Sequence, residues 1–486
     1  MTRIGKGGIR PYSKKESTRK KPLMPLEILP KAIVLPLRSP CGGELRPVIT
    51  VGDVVKRGEL VAMPQNELGF SLYSGISGKV VAISHQPHPL FELCLSIVIK
   101  NDFQDSAVSH ESFPDIESLS QEQVLTLLEE RGLRSVDPDE TPVHVKVMEG
   151  RGRVDTLIIN ACEAEPYLTA DHRLLLERQD LIISGAKLLA YALGAVQIVV
   201  ALQGDKLDAI EDLEENMNWD RESMRIRTLP TRYPFGNEKL LVSFVTGVEV
   251  PVGKGWHHAH CAVFSLATTY AVGNAIVRGE MQTHRAITVS GSGVKRPRNF
   301  WLPIGTSLKT ALENAEGIRA DDMALLLLGG PMTGVAQENL RAPILVGSPG
   351  LLAFGSRDIP PHLLKKEENT KRTPCIRCGH CLSVCPMHLM PLSIYKEMER
   401  DYPRKEELLS LGTLTCIGCG SCNFRCPSRL PLAQSINKGQ FFCVDEVTVE
   451  KDIKIYAPSE KKESKGEGNG KWGNVFLSKK KRGKKP

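Results

Sequence analysis

Residues 373–386 read TPCIRCGHCLSVCP, four cysteines spaced C-x2-C-x2-C-x3-C and closed by Pro386. Residues 415–427 repeat the spacing as TCIGCGSCNFRCP, with Cys416, Cys419, Cys422 and Cys426 before Pro427. Two such runs form the bacterial pattern for a pair of [4Fe-4S] clusters. Three thiolates separated by two residues wrap one iron–sulfide cube, and the fourth, beyond a wider gap, reaches the other cube. The spacing therefore predicts one cluster on Cys375, Cys378, Cys381 and Cys426, and a second on Cys385, Cys416, Cys419 and Cys422. Crossed ligands make the clusters neighbours, so this part of the chain is expected to fold as a ferredoxin-type domain. Gly379, Gly418 and Gly420 permit tight turns between ligands, and each proline ends a binding loop.

Zinc and disulfides are the competing uses of cysteine. Structural zinc sites take two ligand pairs across a longer loop, unlike two runs of four. Disulfide frameworks belong to small secreted domains, whereas 13 cysteines are spread through 486 residues here and no leader-like segment opens the chain. Cys41, Cys94, Cys162, Cys261 and Cys443 stand singly and read as buried, reduced hydrophobes.

The length exceeds one core and implies about three or four domains. Charge is concentrated at the ends: residues 1–22 and 459–486 each carry +7 against +7 for the whole chain, which leaves −7 between them. With aromatics at 5%, no nucleic-acid surface is expected. The basic termini read as contacts to an anionic membrane face or an acidic partner, or as solubilising extensions, and KWGNVFLSKKKRGKKP reads as a flexible tail. The most apolar run, Leu181 to Leu202, is interrupted by Lys187, Gly194 and Gln197 and reads as helix then strand, not as a membrane span.

The pattern along the chain is multidomain, α/β and α+β. Residues 1–110 hold an N-terminal extension and the strand-like VITVGDVVKRGELVAM and LYSGISGKVVAI, which resemble the barrel-sandwich of biotinyl and lipoyl carriers without the carrier lysine. Residues 115–275 alternate helix and strand: SQEQVLTLLEERG is an amphipathic helix ending at Gly132, VDTLIINA a strand, MRIRTLP another. That is a Rossmann-like α/β pattern, with ligands expected at the carboxyl ends of the strands. Residues 280–345 contain a small β-grasp unit, two strands about a glycine turn and then a helix. The ferredoxin domain spans 360–440, with helix formers throughout MPLSIYKEMERDYPRKEELLSLG, and the basic tail spans 445–486.

Several segments in a fixed order now carry a resemblance. KGGIRP, the barrel-sandwich, NACEAEPYLTADHR, YPFGNEKLL, TGVEVPVG, the β-grasp unit with GGPMTG, and the two cysteine runs resemble the RnfC/RsxC family of the Rnf (Rsx) ion-translocating electron-transport complex over nearly the whole chain. That family is similar to the flavin-binding subunit of respiratory complex I. The resemblance implies a peripheral subunit on the cytoplasmic side of the cell inner membrane, part of an ion-translocating oxidoreductase. Its implied partners are the integral-membrane and other Rnf subunits, with NADH or ferredoxin on the redox side. It also implies FMN in the α/β domain and two [4Fe-4S] clusters as the exit for electrons. Asn160, Glu163, Glu165, Pro166 and Tyr167 fall where the family places its flavin and nicotinamide pocket. Gly236 and Glu238 match the glycine and acid of the family's YPFGNEKLL pattern, and Tyr233 is expected to stack on an aromatic ring.

One departure bears on the flavin. The family carries GxGGAGFPT before x-V-K, and this chain reads GLRSVDPDETPVHVKV, keeping Pro142 and Lys146 but placing Asp137, Pro138, Asp139 and Glu140 where glycines belong. Bare glycine N–H groups admit a phosphate closely, whereas carboxylates repel it and Pro138 has no N–H. Like charges a few ångströms apart repel by about 1–4 kcal/mol at wet or surface dielectric. Ser265 also stands where the family has Asn. Two functional classes follow: a redox subunit that keeps NADH:FMN chemistry through altered contacts, and an electron-wire or assembly subunit fed by another protein at its clusters. A soluble flavin/iron–sulfur reductase of the cobalamin-reductase type has a similar domain order.

Overall fold

The alternating apolar strands near the amino end close into a barrel-sandwich in the computed structural model, which describes residues 7–215, 223–319, 323–363 and 373–444. The basic tail expected at 445–486 lies outside the described residues. A four-stranded sheet (Ala32–Pro36, Leu93–Asn101, Gly78–Pro87, Val54–Val55) and a three-stranded one (Leu45–Pro47, Leu60–Pro64, Leu72–Tyr73) share one core. Ile33, Val61, Val80, Ile97 and Ile99 are wholly buried there, the inward set that a period of two dictates.

The α/β domain follows. Helix α1 (Gln121–Glu130) opens on a Ser120/Gln123 capping box. It stops at Gly132, whose φ of +61° suits glycine, and a Cβ there would meet the Ser71 carbonyl oxygen at 1.8 Å. The turn is thus seated against the barrel. Four strands, Thr156–Asn160, Gln197–Gln203, Met224–Leu229 and Cys261–Ser265, pair in parallel in the order third, second, first, fourth. Helices α2 (Val143–Gly150), α3 (Ala170–Glu177), α4 (Gln179–Leu193), α5 (Leu207–Glu215), α6 (Glu238–Thr246) and α7 (Leu266–Val277) connect and flank them. The run Leu181 to Leu202 is α4, a left-handed Gly194 and the second strand.

The β-grasp sheet has six strands and takes in two that lie outside 280–345. Its order is Leu23–Pro25, Arg298–Pro303, His284–Ser290, Gly350–Gly355, Met323–Leu328 and Val335–Ala336. The helix Leu308–Asn314, capped by Ser307, packs on it through Leu308, Ala311 and Leu312. In the ferredoxin domain the segment between the cysteine runs forms two helices, Pro391–Met398 and Lys405–Ser410. Pro403 separates them, since proline lacks the amide a continuous helix needs.

An extended strap at the amino end ties these parts together. Gly8 N donates to the Val384 carbonyl (2.9 Å), Ile9 bridges to Tyr233, and Tyr167 N donates to the Ser13 carbonyl (2.8 Å). Thr169 Oγ1 lies 2.8 Å from Thr18 Oγ1, and the Asn299 side chain donates to the Thr18 carbonyl (3.0 Å). Leu23–Pro25 then joins the β-grasp sheet in parallel.

Candidate electron-transfer centre

The eight cysteines of the two runs gather in two quartets. Cys375, Cys378, Cys381 and Cys426 line a cavity of about 220 Å³ with Pro391, Leu392 and Leu430. Cys385, Cys416, Cys419 and Cys422 line a second, narrower one. In each quartet one thiol comes from the other run. The first cavity opens outward, with Cys378 exposed and Ile376 and Leu382 at 62% and 51% exposure beside it. The second is the more enclosed, with Cys385 and Cys422 buried and Cys416 and Cys419 half-buried, and burial raises the Cys416, Cys385 and Cys422 thiols.

The two runs are folded alike, residue for residue. Arg377 and Gly418 have φ of +56° and +66°, Gly379 and Gly420 +73° and +69°, and His388 and Arg429 +54° and +52°. These turns aim amides at sulfur. Arg377 N reaches Cys375 Sγ at 3.4 Å and Leu389 N reaches Cys385 Sγ at 3.4 Å, while Gly418 N and Leu430 N reach Cys416 and Cys426 at 3.4 and 3.5 Å. Four thiols lining one cavity, N–H groups directed at sulfur and an apolar lining are the donor set an iron–sulfur cube requires. The residues present fit the group.

The enclosed quartet abuts the α/β domain. Tyr233, 5% exposed, donates its hydroxyl to the Cys419 carbonyl at 2.8 Å instead of presenting its ring to a ligand. Ile9, Tyr233, Met332 and Val384 form a small apolar cluster there, joined by Ala164, Cys419 and Phe424. Glu165 accepts from Met332 N (2.9 Å) and Thr333 Oγ1 (2.6 Å). Burial raises this carboxyl to about 7 despite those bonds. The GGPMTG loop thus meets Glu165, a partnership that the bare motif does not reveal.

The other expected flavin-site residues end or follow the first strand or, for Gly236 and Glu238, follow the third, and bond to the chain itself. Asn160 Nδ2 donates to the Gly236 carbonyl (2.8 Å). Glu163 Oε1 accepts from Asp171 N (2.8 Å), and Lys15 from the strap donates to the Glu163 carbonyl (2.5 Å). The Tyr167 ring meets Phe354 edge-on, centroids 5.4 Å apart. Glu238 Oε1 lies 3.0 Å from Lys146 Nζ. Burial opposes the Lys146 charge, but Glu238, Asp137 and Asp139 outweigh it and hold its pKa above the ordinary lysine value. With anions already gathered on Lys146, the residues present do not fit a flavin phosphate. Of the five single cysteines, Cys94, Cys162, Cys261 and Cys443 are buried, but Cys41 is only half-buried, its thiol 3.1 Å from Ser39 Oγ.

A barrel-sandwich, a parallel α/β domain of the flavin type, a β-grasp sheet and a dicluster ferredoxin define an iron–sulfur electron-transfer subunit. Family profiles match in the same order: the RnfC barrel sandwich hybrid domain over residues 5–104, the Nuo51 FMN-binding domain over 128–274, the SLBB domain over 286–336 and the 4Fe-4S dicluster domain over 374–430. The corresponding chain of the proton-translocating ferredoxin:NAD(+) oxidoreductase complex of Clostridium ljungdahlii is 35% identical over 413 residues, 84% of this chain and 87% of that one. Its counterpart in the Na(+)-translocating ferredoxin:NAD(+) oxidoreductase complex of Acetobacterium woodii is 31% identical over 400 residues, 82% and 87% of the two chains. The chain belongs to the RnfC family of the ion-translocating oxidoreductases. A solved NAD+-reducing [NiFe]-hydrogenase in its H2-reduced state aligns with a TM-score of 0.46 at 17% identity, over 69% of this chain and 63% of that one. Among the described residues no helix is long and apolar enough to cross a membrane.

Proposed function

We propose that this chain is the peripheral subunit of an Rnf-type complex on the cytoplasmic side of the cell inner membrane, and that it carries electrons between a soluble donor, NADH or ferredoxin, and its membrane partners. Cys375, Cys378, Cys381 and Cys426 would hold one [4Fe-4S] cluster, and Cys385, Cys416, Cys419 and Cys422 the other. The observation that supports this most is the pairing of an open thiol quartet with an enclosed one set against Tyr233 and Glu165. When bound, such clusters supply one-electron carriers. The chain's part is to fix the thiols, to aim the amides of Arg377, Leu389, Gly418 and Leu430 at sulfur, and to exclude water with Pro391, Leu392 and Leu430. Ion translocation falls to partners within the bilayer, because a charge path there needs spanning elements.

Anaerobic purification with iron, sulfide and metal quantification on one sample tests this reading. About eight irons and eight sulfides per chain are expected from two four-iron cubes. Colourless protein with zinc in the cysteine domain refutes it.

A further inference from the structure

The crevice of the parallel sheet is closed by the chain itself. In an open α/β sheet, ligands bind beyond the carboxyl ends of the strands where the strand order reverses. That point lies here between the first and fourth strands, at the paired residues Asn160 and Ser265. Helix α7 starts immediately after Ser265, and the first turn of a helix offers an anion free amides and a positive dipole end. Residues 134–142 are tied down at this place. Val136 N donates to Thr268 Oγ1 in that first turn at 2.8 Å, and Thr268 Oγ1 lies 2.7 Å from Ser265 Oγ.

Several of the loop's own amides are engaged. Arg134 N donates to Gln282 Oε1 (2.9 Å), Ser135 N to the Thr141 carbonyl (2.8 Å) and Glu140 N to the Asp137 carbonyl (3.0 Å), and Pro138 has no N–H. Two of its three carboxylates turn onto internal cations, and Asp139 Oδ2 accepts from Thr141 Oγ1 at 2.7 Å. Asp137 Oδ2 lies 3.7 Å from Lys146 Nζ, which also holds Glu238 and sits 5.0 Å from the Phe264 ring centroid. Glu140, 2% exposed, pairs with Arg134 at 3.0 Å and accepts from Gly347 N at 2.9 Å. The loop is thereby fastened to the segment that leads into the last long β-grasp strand. A phosphate entering the crevice would have to break these bonds and then face Asp137, Asp139 and Glu238.

Resting on the proposed electron-transfer function, we infer that Asp137 and Glu238 stand in for a ligand's anionic group against Lys146, and that this crevice binds no FMN. Electrons then enter and leave the subunit singly, through a one-electron redox protein docked at the clusters. Hydride transfer from a nicotinamide requires a two-electron acceptor, and each four-iron cube takes one electron.

The full chain, purified without oxygen and with its clusters intact, is titrated with FMN while flavin fluorescence is read. No quenching is expected up to about 100 µM, a concentration that fills even a weak specific site. Melting temperatures of the native chain, Asp137→Asn, Lys146→Met and the double variant read the internal pair. The double variant is expected to melt no lower than Lys146→Met alone, as coupled residues do. Stoichiometric flavin in the native chain, or fully additive losses in the double variant, overturns the inference. Iron near eight per chain in the same samples would place such a failure in the closed crevice and not in the cluster assignment.

Discussion

The Tyr233 hydroxyl donates to the carbonyl oxygen of Cys419 across the boundary between the α/β domain and the enclosed thiol quartet. Burial raises the phenol far above its usual pKa, so it remains a neutral donor. Tyr233→Phe is expected to lower stability by about 1 kcal/mol, the worth of one hydrogen bond. Iron content should not change. The electron paramagnetic resonance signal of the enclosed cluster should shift and that of the open cluster should not; two unaltered signals would show that this contact does not reach the metal.

The open and enclosed quartets differ in what a lost ligand costs. Cys378→Ser and Cys422→Ser should each lower iron from about eight to about four per chain. Cys378 is exposed and Cys422 is 9% exposed, so only the second substitution should also lower the denaturation midpoint of the ferredoxin domain markedly. Circular dichroism should show the parallel sheet intact in both. Collapse of the whole fold in the Cys378 variant would mean that the metal acts chiefly as a structural staple.

His88 sets a pH dependence remote from the cysteines. Its Nδ1 accepts from Leu90 N and Phe91 N, each at 3.1 Å, and the ring stacks on Phe91 with centroids 4.6 Å apart. Burial lowers its pKa to about 4, so the folded state holds a neutral imidazole. A depressed folded pKa gives stability that is present above the unfolded value near 6.5 and is lost as pH falls toward 4. The loss should amount to about 3 kcal/mol at most. His88→Asn keeps an acceptor and removes the titration, so urea midpoints at pH 8 and pH 4.5 should differ less in the variant than in the native chain.

The architecture was legible because its signals are local. Ser120 and Gln123 announce α1, Gly194 ends α4, and the run from Thr156 to Asn160 can only be a buried strand. The cysteine spacing likewise groups thiols that the fold then brings to common cavities, since the turn at each glycine is set within a few residues. What the sequence hid is non-local. Glu165 and Tyr233 look like ligand residues in isolation, yet their partners, Met332, Thr333 and Cys419, lie far along the chain. The sequence warned that Asp137 and Glu140 disfavour phosphate, but their pairing with Lys146 and Arg134 needed three dimensions. The long helix-forming stretch divided at Pro403, a breaker that composition alone undervalues.

The strap that begins at Gly8 has a consequence for biosynthesis. Gly8 is translated long before Val384, which accepts its hydrogen bond. Ile9, Ser13 and Thr18 can meet Tyr233, Tyr167 and Thr169 earlier, but the Gly8 link must wait, and contacts of such sequence separation are slow to close. The seam from Ile9 to Pro25 can therefore be laid as residues 163–303 emerge, and its Gly8 end closes last, when the cysteine-bearing region has been made.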